Sequence, residues 1–203
     1  MTVAHSDALV FFGATGDLAH KEIFPALQAM IRHGHLDMPI IGVAKSGWNL
    51  EQLKARARDS VEKYGSLDPA AFAKLSALLQ YIDGDYRDDN TYRQLRAALG
   101  SSNRPLHYLA IPPSMFATVA GGLAKFRCTD NARVVVEKPF GRDLASAQAL
   151  NRTYTSSFRK PRSTASITSW AKNPSRTSFI SASPICFWNP FGTATTSPAC
   201  RLH

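Results

Sequence analysis

The sequence predicts an α/β fold, a doubly wound and mostly parallel sheet, on three observations. Short apolar runs that do not alternate recur along residues 9–136, as strands buried on both faces do. Segments of helical period separate them. The first run, Leu9-Val10-Phe11-Phe12, stops at Gly13-Ala14-Thr15-Gly16 and restarts as a helix, the strand, turn and helix that open a βαβ unit.

The elements follow in order. After the first strand, Leu18, Ile23, Phe24, Leu27, Met30 and Ile31 recur at helical spacing, Gly34 is a plausible stop, and Pro25 is a local complication. Pro39 to Ala44 reads as the second strand. Leu50, Leu53, Ala57, Val61 and Tyr64 mark a helix, and Asp68-Pro69 opens another with an N-cap and a proline at the first helical position. Gln80-Tyr81-Ile82 predicts a short strand, and Tyr92, Leu95 and Leu99 a helix. Leu106 to Ile111 is a further strand, ended by Pro112-Pro113, with Ser114 as cap of a helix carrying Phe116, Val119 and Leu123. Arg133 to Val136 is the last strand, closed by Glu137 to Asp143 and a helix from about Leu144.

Composition narrows the function. With 203 residues, 44% of them hydrophobic, the chain can bury one good core, or one domain and part of a second. No apolar run approaches the ~20 residues of a membrane span, and no signal-peptide pattern opens the chain, so a cytoplasmic setting without a membrane partner is expected. Cys128, Cys186 and Cys200 form neither a disulfide framework nor a metal cluster. The net charge of +9 invites a nucleic-acid reading, but its distribution argues against one. All 15 acids stand at or before Asp143 with 17 of the 24 basic residues, a balance of only +2. The basic groups that follow are spread among Ser and Thr, where a dedicated binding arm clusters them.

The chemistry gathers at one sheet edge. The turn Gly13, Ala14, Thr15, Gly16, Asp17, Leu18, Ala19 aims backbone N–H groups and the positive end of a helix dipole at an anion, usually a phosphate. Its spacing is Gly-x-x-Gly-x-x-Ala, not Gly-x-Gly-x-x-Gly, so an ordinary glycine turn is the alternative. Lys45 and Ser46 follow the second strand, where an acid suits the ribose hydroxyls of NAD and a cation suits the 2′-phosphate of NADP. Ligands of such sheets bind beyond the C-terminal strand ends, where Gly13 to Asp17, Lys45, Tyr108 and Lys138 all fall. The six histidines make no metal site or triad.

With these residues placed, the chain resembles the glucose-6-phosphate dehydrogenase family over residues 8–151. The matching pieces are Phe-Gly-Ala-Thr-Gly-Asp-Leu-Ala (12–19), Gly-Val-Ala-Lys-Ser (42–46), His-Tyr-Leu-Ala-Ile-Pro-Pro (107–113) and Val-Glu-Lys-Pro-Phe-Gly-Arg-Asp (136–143). The resemblance implies a Rossmann-like dinucleotide-binding domain over residues 1–151. It also implies NADP-dependent oxidation of D-glucose 6-phosphate to the 6-phospholactone, the opening step of the pentose phosphate pathway. By the same resemblance Gly13 to Ala19 hold the pyrophosphate, Lys45 with Ser46 hold the 2′-phosphate where relatives often carry arginine, Tyr108 lies beside the cofactor, and Lys138 contacts cofactor and sugar. Two alternatives stay open: another NADP-linked sugar oxidoreductase, and a non-enzymatic basic chain that binds nucleic acid.

The resemblance ends after residue 151. The family's histidine base, in a motif of the form Arg-Ile-Asp-His-Tyr/Phe-Leu-Gly-Lys-Glu, is absent, as is the following α+β domain that carries the rest of the substrate pocket and the dimer interface. Residues 152–203 instead hold 18 Ser or Thr in 52 residues and no acid, a composition that predicts disorder. The genetic code offers a sharper reading. Ser166 to Pro174 can be encoded as TCG ATC ACT TCC TGG GCA AAG AAC CCG after a codon ending in A. Read one base earlier, that DNA gives Ile-Asp-His-Phe-Leu-Gly-Lys-Glu-Pro. Tyr154 to Ala165 and Ser183 to Thr193 conceal family-like text in the same way. A frameshift near Thr153 is therefore expected, leaving a truncated and inactive polypeptide without its catalytic base and without the homo-oligomer of the full-length family.

Overall fold

The computed structural model describes residues 5–136. Five parallel strands form one sheet in the order β3-β2-β1-β4-β5. They are β1 (Ala8–Phe12), β2 (Ile40–Ala44), β3 (Leu79–Asp83), β4 (Pro105–Leu109) and β5 (Arg133–Val136). Between them run α1 (Phe24–Arg32), α2 (Leu50–Tyr64), α3 (Pro69–Leu78), α4 (Asp89–Leu99) and α5 (Phe116–Lys125). The helix expected from about Leu144 and the proposed tail lie outside the described residues.

The non-alternating strands follow from helices on both faces. Along β1, Ala8, Val10 and Phe12 join a core with Tyr92, Leu95 and Leu99 of α4 and Phe116, Val119 and Leu123 of α5. Leu9 and Phe11 point the other way, into a core with Phe24, Leu27 and Ile31 of α1, Leu53, Ala57 and Val61 of α2 and Leu75 of α3. Successive side chains go to opposite layers, so every residue of β1 and β2 must be apolar or small. Gly42 of β2 is small for a packing reason, because a Cβ there would lie 2.9 Å from the Cβ of Ala14 and 3.1 Å from Leu53.

Local chemistry sets the helix ends. Asn49 and Gln52 form a reciprocal capping box at the start of α2, and Asp68 accepts from the N–H groups of Ala70 and Ala71 ahead of Pro69. Pro25 is accommodated by a π turn, Ala19–Ile23, in which Phe24 N–H reaches back to Ala19 O. The widened turn relieves the crowding that a proline ring creates against the carbonyl four residues earlier. Ser114 does not cap α5: it lies inside a 3-10 turn, Pro113–Met115, and Met115 stands at the N-cap without a side-chain bond. Pro112-Pro113 fixes the chain into that turn before a serine cap can form. β4 also ends two residues earlier than expected, at Leu109, because the last strand residue of β1 opposite it is Phe12.

A close contact links the α5 layer to the sheet edge. A Cβ on Gly122 would sit 2.2 Å from the Tyr92 ring, which stacks on Phe126 and whose hydroxyl donates to Tyr86 O at 2.7 Å. Alanine at 122 gains about 1 kcal/mol in helix propensity but forces overpacking that costs about 1–3 kcal/mol. The overpacking wins where the ring is anchored at both ends, so Gly122→Ala is expected to lower stability by up to about 2 kcal/mol, read from urea unfolding midpoints.

Candidate functional site

The strand order creates a crevice. The chain runs from β1 outward through β2 to β3, then crosses back to place β4 on the other side of β1. The two directions diverge at the C-terminal ends of β1 and β4, the place where open α/β sheets bind ligands.

Gly13 stands at that point with φ +84°. Its N–H donates to Val43 O and to the Tyr86 hydroxyl, both at 2.9 Å, and the Tyr86 hydroxyl in turn donates to Val43 O at 3.2 Å. Ala110 N–H reaches Phe12 O at 3.1 Å, which draws the end of β4 so close that a Cβ on Gly13 would lie 2.1 Å from Ala110 O. Gly16 N–H closes the turn on Gly13 O at 2.9 Å, and His20 N–H bonds Gly16 O to start the helical path. The N–H groups of Thr15, Asp17 and Leu18 have no acceptor among the described residues, and Gly16 and Asp17 are exposed. This donor set at a helix start suits a pyrophosphate, so the turn fits a dinucleotide. Ala14 and Ala19 are buried beneath it and pack it on the sheet.

A histidine pins the first helical turns. His20 is buried, its Nε2 lies 2.7 Å from Asp59 Oδ2, and its ring meets Tyr64 edge-on. Ser60 Oγ donates to the His20 carbonyl, so α2 fixes the helix behind the turn from two sides. Tyr64, read from sequence only as part of the helical stripe, is 42% exposed and packs its ring edge-on against His20.

Lys45 and Ser46 lie just beyond β2 at the same edge. Lys45, 71% exposed, donates to Asp85 Oδ2 at 2.8 Å. Ser46 and Gly47 both direct backbone N–H groups at Asp83 Oδ1, at 2.8 and 2.9 Å, and Ser46 Oγ is 2.7 Å from the Tyr81 hydroxyl. The Ser46 N–H holds the Asp83 carboxyl below its ordinary range, and the Lys45 ammonium does the same for Asp85. Burial pushes the Tyr81 phenol up to about 12, with the Ser46 hydrogen bond opposing, and burial raises Tyr86 as well. Neither phenol ionises near neutral pH, so both act as neutral hydrogen-bond groups.

Tyr108 is half-buried in β4, beside Phe11 of β1 and Val135 of β5, and packs on the α1 to α3 layer. The structure therefore brings Gly13 to Ala19, Lys45, Ser46 and Tyr108 to one edge of the sheet, while Lys138 lies outside the described residues. Three residues at that edge escape sequence reasoning: Asp83, Asp85 and Tyr86. Their signal was the run Tyr81-Ile82-Asp83-Gly84-Asp85-Tyr86 at the end of β3. Parallel neighbours end on the same side, so polar groups after β3 must meet those after β2.

Comparison with known proteins matches this geometry. Residues 10–162 match the family model "Glucose-6-phosphate dehydrogenase, NAD binding domain". The chain is 48% identical over 146 residues to glucose-6-phosphate 1-dehydrogenase 1 of Mycobacterium tuberculosis, covering 72% of this chain and 31% of that protein. A solved structure of glucose-6-phosphate 1-dehydrogenase from Mycobacterium avium superposes with a TM-score of 0.72 at 44% identity, over 75% of this chain and 34% of that one. A second, of a glucose-6-phosphate dehydrogenase in complex with glucose 6-phosphate, gives 0.68 at 33% identity, over 78% and 36%. The chain spans about a third of the length of the curated relatives it matches. Among the described residues no helix is long and apolar enough to cross a membrane. A parallel sheet with a phosphate-shaped turn at its crossover, and a family match spanning that turn and the strands around it, together show that the chain belongs to the glucose-6-phosphate dehydrogenase family, as its nicotinamide-cofactor-binding domain.

Proposed function

We propose that residues 1–151 are the coenzyme domain of an NADP-dependent D-glucose-6-phosphate 1-dehydrogenase, and that residues 152–203 are read out of frame. The observation that carries the cofactor reading is the turn at Gly13 to Ala19, whose N–H groups at Thr15, Asp17 and Leu18 meet no acceptor among the described residues, on the same edge as the Lys45 cation. In this reading the turn holds the pyrophosphate, Lys45 and Ser46 take the 2′-phosphate, Tyr108 lies beside the cofactor, and Lys138 contacts the cofactor and orients the sugar by hydrogen-bonding a hydroxyl. When bound, the nicotinamide supplies the hydride acceptor for C1 of glucose 6-phosphate. The proton of the C1 hydroxyl needs a general base, and none stands in the family's place along this chain, so the 203-residue polypeptide binds cofactor without turning substrate over.

The family match runs to residue 162 and does not reach Ser166 to Pro174, the segment in which the shifted reading restores the family's motif. Sequencing the coding DNA tests it: translation shifted by one base beyond Thr153 is expected to contain Asp-His-Phe-Leu-Gly-Lys, and its absence refutes the frameshift. Protein from the frame-restored gene is expected to reduce NADP with glucose 6-phosphate and to assemble as a homo-oligomer. Its rate should exceed that of the 203-residue chain by at least the ~10²–10⁴ of acid–base catalysis. Activity confined to unphosphorylated sugars would sink the substrate assignment. Lys45→Ala is expected to weaken NADP binding about tenfold in a fluorescence titration, the loss of one charge-assisted phosphate contact.

A further inference from the structure

The groups assigned to the 2′-phosphate already hold carboxylates of this chain. Lys45 Nζ donates to Asp85 Oδ2 at 2.8 Å. The N–H groups of Ser46 and Gly47 converge on Asp83 Oδ1, which also accepts from the Tyr81 hydroxyl at 3.1 Å. The loop after β2 is thus an anion seat whose occupant is internal. Asp83 and Asp85 are both anions at neutral pH, held so by the same donors that a phosphate would need.

A 2′-phosphate entering this loop meets two negative charges and must take Lys45 from one of them. A 2′-hydroxyl meets no such barrier, because it is neutral and can donate to a carboxylate. Acids beyond the second strand are the usual partners of that hydroxyl, and here the third strand supplies them from alongside. The lysine and the acids therefore favour opposite cofactors in one site.

We propose that Asp85, beside a loop held in shape by Asp83, sets the nucleotide preference of this site, so that it discriminates NADP from NAD only weakly despite Lys45. The inference rests on the reading of this edge as a dinucleotide site. Asp85 is the adjustable member, since it pairs with a largely exposed side chain and with the N–H of Arg87. Asp83 is bound to two backbone N–H groups and a phenol, so its removal would disturb the loop itself.

The experiment titrates the full 203-residue chain with NADP and with NAD at low ionic strength, by calorimetry. The wild-type affinities are expected to lie within about tenfold of each other. Asp85→Asn is expected to tighten NADP by roughly threefold to tenfold, the scale of an exposed ion pair plus a screened like-charge contact, and to leave NAD unchanged or weaker. The gain should shrink in the Lys45→Ala background, where no ammonium is released, and in high salt. Wild-type preference for NADP above a hundredfold, or an Asp85→Asn ratio equal to wild type while Lys45→Ala still weakens NADP, overturns the proposal and leaves the cofactor site standing. Binding of neither nucleotide by a chain whose circular dichroism shows the folded sheet refutes the site and the proposal together.

Discussion

Gly13→Ala is expected to cost the domain roughly 2–5 kcal/mol and to abolish cofactor binding. Two effects add. The φ of +84° is a left-handed conformation that costs a side-chain-bearing residue about 1–2 kcal/mol. The new methyl would lie 2.1 Å from Ala110 O, a backbone atom held by the bond from Ala110 N–H to Phe12 O, so β1 and β4 must part to admit it at a further cost of about 1–3 kcal/mol. Such a loss is a large share of a typical 5–15 kcal/mol and should lower the melting temperature by about 5–15 °C. Gly34→Ala separates the two effects. Gly34 has φ +72° and no atom within 4 Å of its Cβ position, so only the conformational cost applies. If the two variants unfold at the same temperature, the close approach at the crevice has no energetic weight.

Mild acid is expected to destabilise the fold through a buried histidine. His107 sits in the middle of β4, wholly buried, with Nε2–H donating to Cys128 O at 2.7 Å. Burial pushes its pKa from 6.5 down to about 4, with the bond to Cys128 opposing. Between those values the unfolded chain binds a proton that the native state does not. Stability is therefore complete above about pH 6.5 and falls by about 1.4 kcal/mol per pH unit toward pH 4, a total on the order of 3 kcal/mol. Asp83 and Asp85 have lowered pKa values, so their contribution is present above the ordinary carboxylate range and is lost only at lower pH. Urea unfolding at pH 7 and pH 5 measures the slope. His107→Gln should flatten it between pH 6.5 and 5 even if it is less stable throughout, and an unchanged slope would exclude His107 as the source.

The parts of this fold written in local sequence were legible, and the parts made by neighbours in space were not. β1 and β2 could be read because burial on two faces leaves no polar position, and the Gly13 turn because a strand, two glycines and a helical stripe are adjacent in the chain. The cap at Asp68 was equally local. Ser114 misled because a cap depends on where the helix begins, and Pro113 moved that point by starting a 3-10 turn. Pro25 announced a disturbance, but not that a π turn would absorb it. Lys45 could be placed at the C-terminal end of β2, whereas its bond to Asp85 spans forty residues and required the order of β2 and β3. Tyr86 was hidden for the same reason, its hydroxyl reaching Gly13 across 73 residues.

The central place of β1 has a consequence during synthesis. Its partner on one side, β2, ends at Ala44, but its partner on the other, β4, begins only at Pro105. At 5–20 residues per second a ribosome takes about 3–12 s to make the intervening chain. Through that interval the α1 side of β1 can collapse on its own helices, while Ala8, Val10 and Phe12 face the side that α4 and α5 will cover later. An open strand edge and three bare apolar side chains make the nascent half-sheet a substrate for chaperones and a seed for association between neighbouring chains on one message. The strand that organises the finished domain is thus the one that waits longest, unprotected, for its second neighbour.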